Sequence, residues 1–243
     1  MKDKDLKSGP GPLSGRAGTL MMDLELEETQ VSNFNTGTRD ESQADPLFSA
    51  EDPVELFRDW LAEAQESEPL NPDSMSLATV DDLGHPNVRM VLLKGADHTG
   101  FVFYTNTESQ KAHELRACPR AALCFYWKSL RRQVRLQGSV SPVSDEEADA
   151  YFATRSKDAQ IGAWASKQSR AMAGRFELEV EVAKYTAKYA LKSVERPPFW
   201  SGYRLQPTVI EFWRERHFRL HDRRIFSRTD TEQLKWTVQR LYP

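Results

Sequence analysis

The stretch Glu211-Phe212-Trp213, followed after a short gap by Arg219-Leu220-His221-Asp222-Arg223, gathers the side chains best suited to chemistry. An indole, two guanidinium groups, an imidazole and two carboxylates lie close together in sequence there. The flanks, Val209-Ile210 and Arg224-Ile225-Phe226, read as strands. Alternation along a strand then sends Arg219, His221 and Arg223 to one face, and Leu220 and Asp222 to the other. A face carrying Arg, His and Arg is poor core material, because buried charge is costly unless paired. It suits an anionic, planar ligand. A solvated edge strand with scattered basic residues explains the same segment equally well.

Other cations recur at element ends. Arg89-Met90-Val91-Leu92-Leu93-Lys94 is an apolar strand with a cation at each end. On a regular strand the odd spacing puts Arg89 and Lys94 on opposite sides, to serve two anionic groups or simply to snorkel. Tyr104-Thr105-Asn106 leads into a helix start carrying Ser109, Gln110 and Lys111. A strand feeding a helix amino terminus exposes free N–H groups and partial positive charge, which favours phosphate; a plain strand-to-helix turn is the simpler reading. Tyr151 and Arg155, four apart, share a helix face and can converge on one oxyanion or merely lie on the surface. Gln133 follows Arg131-Arg132 into a strand, where its amide could read the edge of a ring. Trp164 and Lys167-Gln168-Ser169 fall in a polar linker. No nucleophile elbow, metal-ligand spacing or GxGxxG loop is present. A surplus of cations and amides beside aromatics points to a phosphorylated, aromatic cofactor that the protein orients.

These groups need a scaffold. Short apolar runs at 76–80, 87–94, 101–105, 121–127 and 133–140, with turn sequences such as Asp97-His98-Thr99-Gly100 between them, predict an antiparallel barrel or sandwich. Pro53 opens an amphipathic helix through Leu56, Phe57, Trp60 and Leu61. Capping boxes at Thr107–Gln110 and Ser144–Glu147 predict helices over 107–117 and 144–154. A third helix is expected over 176–191, ended by Pro197-Pro198, with two or three strands closing the chain. The class is α+β: a barrel-like sheet decorated by helices.

Composition bounds the function. The formal charge of -3 argues against a general nucleic-acid binder. No apolar run approaches the roughly 20 residues of a membrane span. The two cysteines, Cys118 and Cys124, form no CxxC pair, which fits a reduced, cytoplasmic setting. Residues 1–48 are acidic and rich in Ser, Thr and Asn, and are expected to be a disordered tail in which Met21, Leu24 and Leu26 could dock transiently; the folded domain is expected over 49–243.

Several blocks together closely resemble the pyridoxine (pyridoxamine) 5′-phosphate oxidase family of flavoproteins, whose fold is an FMN-binding antiparallel split β-barrel. They are RMVLLKG at 89–95, FYTN at 103–106, RRQVR at 131–135, QIGAWASKQS at 160–169, and EFW with RLHDR near the end. The resemblance implies a homodimer with FMN at the subunit interface. Arg89, Ser109 and Lys111 would hold the FMN phosphate, with Gln168 and Ser169 from the partner subunit. Gln110 stands where an arginine usually assists. Met90, Val91, Leu92, Leu93, Tyr104, Thr105 and Gln133 would line the flavin, and Trp213 and Arg223 would complete its pocket from the other chain. Lys94, Tyr151 and Arg155 would grip the substrate phosphate. Arg219, Leu220 and His221 would hold the pyridine ring, with Arg219 and His221 as the catalytic pair.

The implied reaction oxidises pyridoxine or pyridoxamine 5′-phosphate to pyridoxal 5′-phosphate, with dioxygen as acceptor and hydrogen peroxide as product. Ala159 replaces a common substrate-binding serine, and Ser156 replaces a common proline and is expected to loosen the loop behind Arg155. No Arg-x-x-Tyr element is evident in the tail. A B6-phosphate binder with weak turnover, and another split-barrel flavin reductase, are the alternatives.

Overall fold

The computed structural model describes residues 45–231 and 235–243. The expected tail, with Met21, Leu24 and Leu26, falls almost wholly outside the described residues. The first described element straddles the tail's expected end at residue 48: α1 (Pro46–Ser49) is capped by Asp45 and buries Leu47 in the main core. Arginines from the chain's other end hold it. Arg214 bonds the Asp45 carboxylate, and Arg224 donates to the Leu47 and Ala50 carbonyls.

Next comes α2 (Pro53–Ser67), with Pro53 at its start and the Asp52 carboxylate accepting from the Val54 and Glu55 N–H groups. Its buried residues Val54, Leu56, Phe57, Trp60 and Ala64 recur at helical spacing. The sheet follows: β1 (Ser74–Val80), β2 (Pro86–Leu92), β3 (Gly95–Asp97), β4 (Gly100–Asn106), β5 (Arg120–Trp127), β6 (Arg132–Pro142), β7 (Trp200–Arg214), β8 (Asp222–Ser227) and β9 (Thr237–Arg240). Every pairing is antiparallel, in the order β2-β1-β5-β6-β7-β4-β3, with β8 also on β7 and β9 on β8. On β1, Met75, Leu77 and Thr79 alternate inward, as a half-buried strand requires.

The 15-residue β7 is the spine. One edge pairs with β6; along the other, residues 200–205 pair with β4 and residues 209–214 with β8. The register against β6 shifts between Gln137 and Gly138. Gly138 is required there, because a Cβ would sit 2.0 Å from the Gln206 carbonyl oxygen.

Four further helices interrupt the sheet: α3 (Gln110–Ala117), α4 (Asp145–Thr154), α5 (Lys157–Ala165) and α6 (Glu177–Lys188). Ser144 caps α4 as expected, its hydroxyl accepting from the Glu147 N–H. Thr107 does not cap α3, correcting the first capping box. The turn is closed instead by Asn106, whose side chain accepts from the Glu108 N–H, and the helix starts after Ser109. Helix α5 corrects the linker reading. Ser156 caps it by accepting from the Ala159 N–H, so this serine starts a helix rather than loosening a loop. Trp164 lies on α5, stacks on Tyr185 of α6, and donates its indole N–H to the Glu195 carbonyl.

The main core is aromatic where α2 meets the sheet. The Phe57 ring lies edge-on to Phe101 at 4.9 Å and to Phe125 at 5.0 Å, while Trp60 meets Phe212 at 5.1 Å. Phe57 is fully buried. Phe57→Ala is therefore expected to cost about 3–5 kcal/mol in urea-unfolding stability. A loss below about 1 kcal/mol would show that α2 is not the plug of this core.

Candidate functional site

Three pieces of chain converge beside β2: the end of β4, the first turn of α3, and the segment running from the end of α4 through α5 to Ser169. They enclose a cavity of about 910 Å³. Of the residues singled out from the sequence, Arg89, Met90, Val91, Leu92, Lys94, Tyr104, Thr105, Gln110, Lys111, Tyr151, Arg155, Ala159, Gln168 and Ser169 all line it.

One end is built around a buried ammonium. The Lys111 Nζ donates to Gln168 Oε1 at 2.8 Å, Thr105 Oγ1 at 3.1 Å and Ser109 Oγ at 3.2 Å, all uncharged acceptors. Burial, followed by the neighbouring Arg89 charge, lowers its pKa to about 8, with Glu114 opposing. Ser109 is fully buried behind Lys111 and is not part of the wall. Arg89 lies alongside, its Nη2 donating to the buried Glu114 carboxylate at 3.0 Å. Gln168 reaches Lys111 within one chain, which differs from its expected placement on a partner subunit.

The other end is aromatic. Tyr104 stacks on Tyr151 at 4.1 Å and on Trp200 at 5.2 Å, the latter pair only 5° from parallel. Burial, then the nearby Glu147, pushes the Tyr104 phenol up to about 12, so it stays protonated. Arg155 follows the last turn of α4 as its C-cap, not as a fourth-neighbour on the helix, yet it shares the cavity with Tyr151. Its guanidinium lies 4.8 Å from the Trp200 ring centre, and its buried Nη1 has no hydrogen-bond partner. Lys94 also lines the cavity, correcting its expected place opposite Arg89. The regular strand ends at Leu92, Lys94 N–H bonds to the Val102 carbonyl, and its Nζ pairs with Asp73 at 2.7 Å. Leu93 points into the main core and cannot line this cavity.

Gln133, Trp213, Arg219, Leu220, His221 and Arg223 do not line this cavity. Gln133 pairs across to Trp213, and Trp213 to Arg223, giving one row over β6, β7 and β8. The His221 ring lies 4.7 Å from Trp213. Glu211, buried at 3% exposure, pairs with both Arg135 and Arg223, and Arg223 also donates to the Tyr242 carbonyl. The expected alternation of Arg219, His221 and Arg223 along one strand fails. Phe218 and Arg219 adopt left-handed φ values of 56° and 61°, so a 3₁₀ turn over His217–Arg219 precedes β8. Phe218 and Leu220 are exposed on that turn.

Sequence reasoning missed Trp200 and Glu114. Phe199-Trp200 after Pro197-Pro198 was the one available signal. Among the described residues no group of three or more His, Cys, Asp or Glu is placed to hold a metal ion, and no helix is long and apolar enough to cross a membrane.

Two family models account for most of the folded chain. Pyridoxamine 5′-phosphate oxidase matches residues 61–189, and the pyridoxine 5′-phosphate oxidase C-terminal dimerisation region matches residues 200–243. A pyridoxine/pyridoxamine 5′-phosphate oxidase from Rhodopseudomonas palustris (strain HaA2) is 58% identical over 211 residues, covering 86% of this chain and 99% of its own. One from Brucella canis (strain ATCC 23365 / NCTC 10854 / RM-666) is 56% identical over 202 residues, covering 83% and 99%. Among solved structures, PhzG from Burkholderia lata 383, in complex with tetrahydrophenazine-1-carboxylic acid, superposes with TM-score 0.77 at 28% identity, covering 84% of this chain and 98% of its own. A pyridoxamine 5′-phosphate oxidase-related, FMN binding protein from Nostoc punctiforme PCC 73102 shares the fold, with TM-score 0.63 at 19% identity over 80% of this chain and all of its own. The antiparallel split barrel with its helices, the cation-lined cavity and the matched dimerisation region agree: the chain belongs to the pyridoxamine 5′-phosphate oxidase family.

Proposed function

We propose that two copies of this chain form an FMN-dependent oxidase converting pyridoxine 5′-phosphate and pyridoxamine 5′-phosphate to pyridoxal 5′-phosphate, working in the cytoplasm. One observation carries the reading: at each end the cavity holds a cation with no bonded anion. Lys111 has only neutral bonding partners, and the buried Arg155 Nη1 has none. A buried charge left in that state is costly, so the arrangement is understandable where anionic groups dock. FMN and the substrate each bring a phosphate.

FMN fits these residues. Lys111, Arg89, Gln168 and Ser169 would hold its phosphate, and the edge of β2 at Met90 to Leu92 with Thr105 would flank its ring. Bound FMN supplies the two-electron acceptor that dioxygen then reoxidises, with hydrogen peroxide released. Arg155 and Tyr151 would hold the substrate phosphate. Lys94 would join them only by exchanging its Asp73 partner. The stacked Tyr104, Tyr151 and Trp200 keep that end rigid, so positioning is the protein's main contribution.

Arg219, Leu220 and His221, with Gln133, Trp213 and Arg223, would complete the site from the second copy. Arg219 offers a planar guanidinium fork to the substrate ring. His221 Nδ1 accepts from the Arg216 N–H at 3.2 Å, which leaves Nε2 as its protonated nitrogen when neutral. Two free cysteines and the absence of a CxxC motif favour a reducing compartment.

A hybrid-dimer assay tests the reading. Lys111→Met and Arg219→Ala homodimers should each be nearly inactive on pyridoxine 5′-phosphate in air, followed by peroxide release. A purified hybrid of the two should regain about half the wild-type activity, because one of its two sites is intact. A hybrid as inactive as its parents would place both residues in one chain's site. NADH-dependent flavin bleaching without B6 oxidation would instead mark a reductase.

The substrate end yields a separate outcome. Arg155→Ala should raise KM for pyridoxine 5′-phosphate about ten- to hundredfold while FMN loading is retained. Equal loss of FMN would move Arg155 to the cofactor.

The Lys111 pKa sets a pH dependence. Because the shift is downward, the ligand-free ammonium loses its proton as pH rises through about 8, and FMN affinity should fall from there upward. Fluorescence-quenching titrations check this; Lys111→Met should bind weakly with that inflection gone.

A further inference from the structure

Behind the wall of the cavity's phosphate end lies a carboxylate, where an anion site would be expected to exclude one. Glu114 lies on α3 one turn beyond Lys111, and its side chain is only 5% exposed. Three side chains of β1 and β2 converge on it. Thr79 Oγ1 donates to Oε2 at 2.5 Å, Arg89 Nη2 to Oε2 at 3.0 Å, and Asn87 Nδ2 to Oε1 at 3.0 Å. Burial works to raise its pKa, but these bonds outweigh burial and hold it below the ordinary value, so it is ionised. Arg89 is pinned further by Nη1, which donates to the Leu77 carbonyl and to Thr79 Oγ1.

We propose that Glu114 is the positioning residue of the phosphate end: it fixes the Arg89 guanidinium in the cavity wall and supplies the negative charge that lets Arg89 and Lys111 share one buried corner. This rests on the FMN reading above. Two steps of physics support it. First, a guanidinium has five N–H donors. The bonds to Glu114, Thr79 and Leu77 occupy at most three of them, leaving donors for a ligand while removing rotational freedom. Second, two cations in one desolvated corner repel each other, and Arg89 does act to lower the Lys111 pKa. Among the described residues Glu114 is the acidic group that opposes this; Thr105, Ser109 and Gln168, the other side chains on Lys111, are neutral. The carboxylate therefore lets the corner stand ready as a cationic site before the phosphate arrives.

The test compares FMN with riboflavin, which lacks the phosphate, on the full-length flavin-stripped dimer between about pH 7 and 9.5. Glu114→Gln keeps the shape and removes the charge. It is expected to weaken FMN about tenfold while changing riboflavin by less than about twofold. The pH midpoint of FMN binding should also move down, and Glu114→Asp should recover part of both effects. An unchanged FMN-to-riboflavin ratio and midpoint would overturn the proposal, as would equal weakening of both ligands, since that marks a merely structural residue. Should Glu114→Gln fail to fold, Thr79→Val, which removes one bond to Glu114 and one to Arg89 away from the cavity wall, must shift the same ratio in the same direction by a smaller factor; no shift overturns the proposal. A wild-type protein with no preference for FMN over riboflavin would instead sink the FMN reading, and the two failures stay distinct.

Discussion

Burying an ammonium whose hydrogen-bond partners are all neutral is the costly act around which this fold is arranged. Lys111 reaches its place because α3 starts directly after β4, so Thr105 at the strand's end and Ser109 at the helix's start both face its amine. Neither hydroxyl neutralises the charge; each only replaces lost water. The third acceptor, Gln168, comes from beyond α5, so the corner exists only when the α4–α5 segment packs against β4. A second satellite core, with Phe152, Ile161, Tyr189, Val194 and Trp200, fixes that segment. The polar corner is thus held by apolar packing around it, and its readiness for an anion is a consequence of that packing.

The long strand β7 explains how one chain carries two different half-sites. Trp200 at its start stacks in the cavity, and Trp213 near its end lies in the row with Gln133 and Arg223. Thirteen residues of extended chain separate them, a contour on the order of 40 Å. The row therefore cannot belong to the same end of the strand as the cavity. The matched dimerisation region, residues 200–243, contains all of β7 and the turn bearing Arg219 and His221. The strand that frames one copy's cavity thereby leads into the segment whose residues are proposed to hold the ring in the other's.

What was legible in the sequence obeyed local rules. Pro53 after Asp52, Ser144 with Glu147, and the strand run at 76–80 each follow from backbone geometry a few residues long. The misreadings came where long-range contacts decide. Nothing local shows that Phe218 and Arg219 would be left-handed, a conformation usually left to glycine or asparagine. Lys94 looked like a strand residue because its neighbours are apolar, yet pairing to β4 ends the regular strand before it. The linker reading of Trp164 weighed its polar neighbours and missed the cap at Ser156. The cofactor-binding and catalytic roles came from resemblance rather than from these rules, since spacing alone left a surface reading open for nearly every cation.

Ala159 shows how a substituted position can be absorbed. With alanine there, the α5 start offers the substrate end no side-chain hydroxyl, and its N–H is taken by Ser156. On the proposed reading, recognition of the substrate's anion would then fall more heavily on Arg155 and Tyr151. Arg155 is suited to that load because its orientation is set by stacking over Trp200, not by a hydrogen bond that a ligand would have to break. Tyr151 is likewise held by ring stacking on Tyr104. Both groups are thus fixed by faces. A site fixed in that way loses little entropy when its ligand arrives.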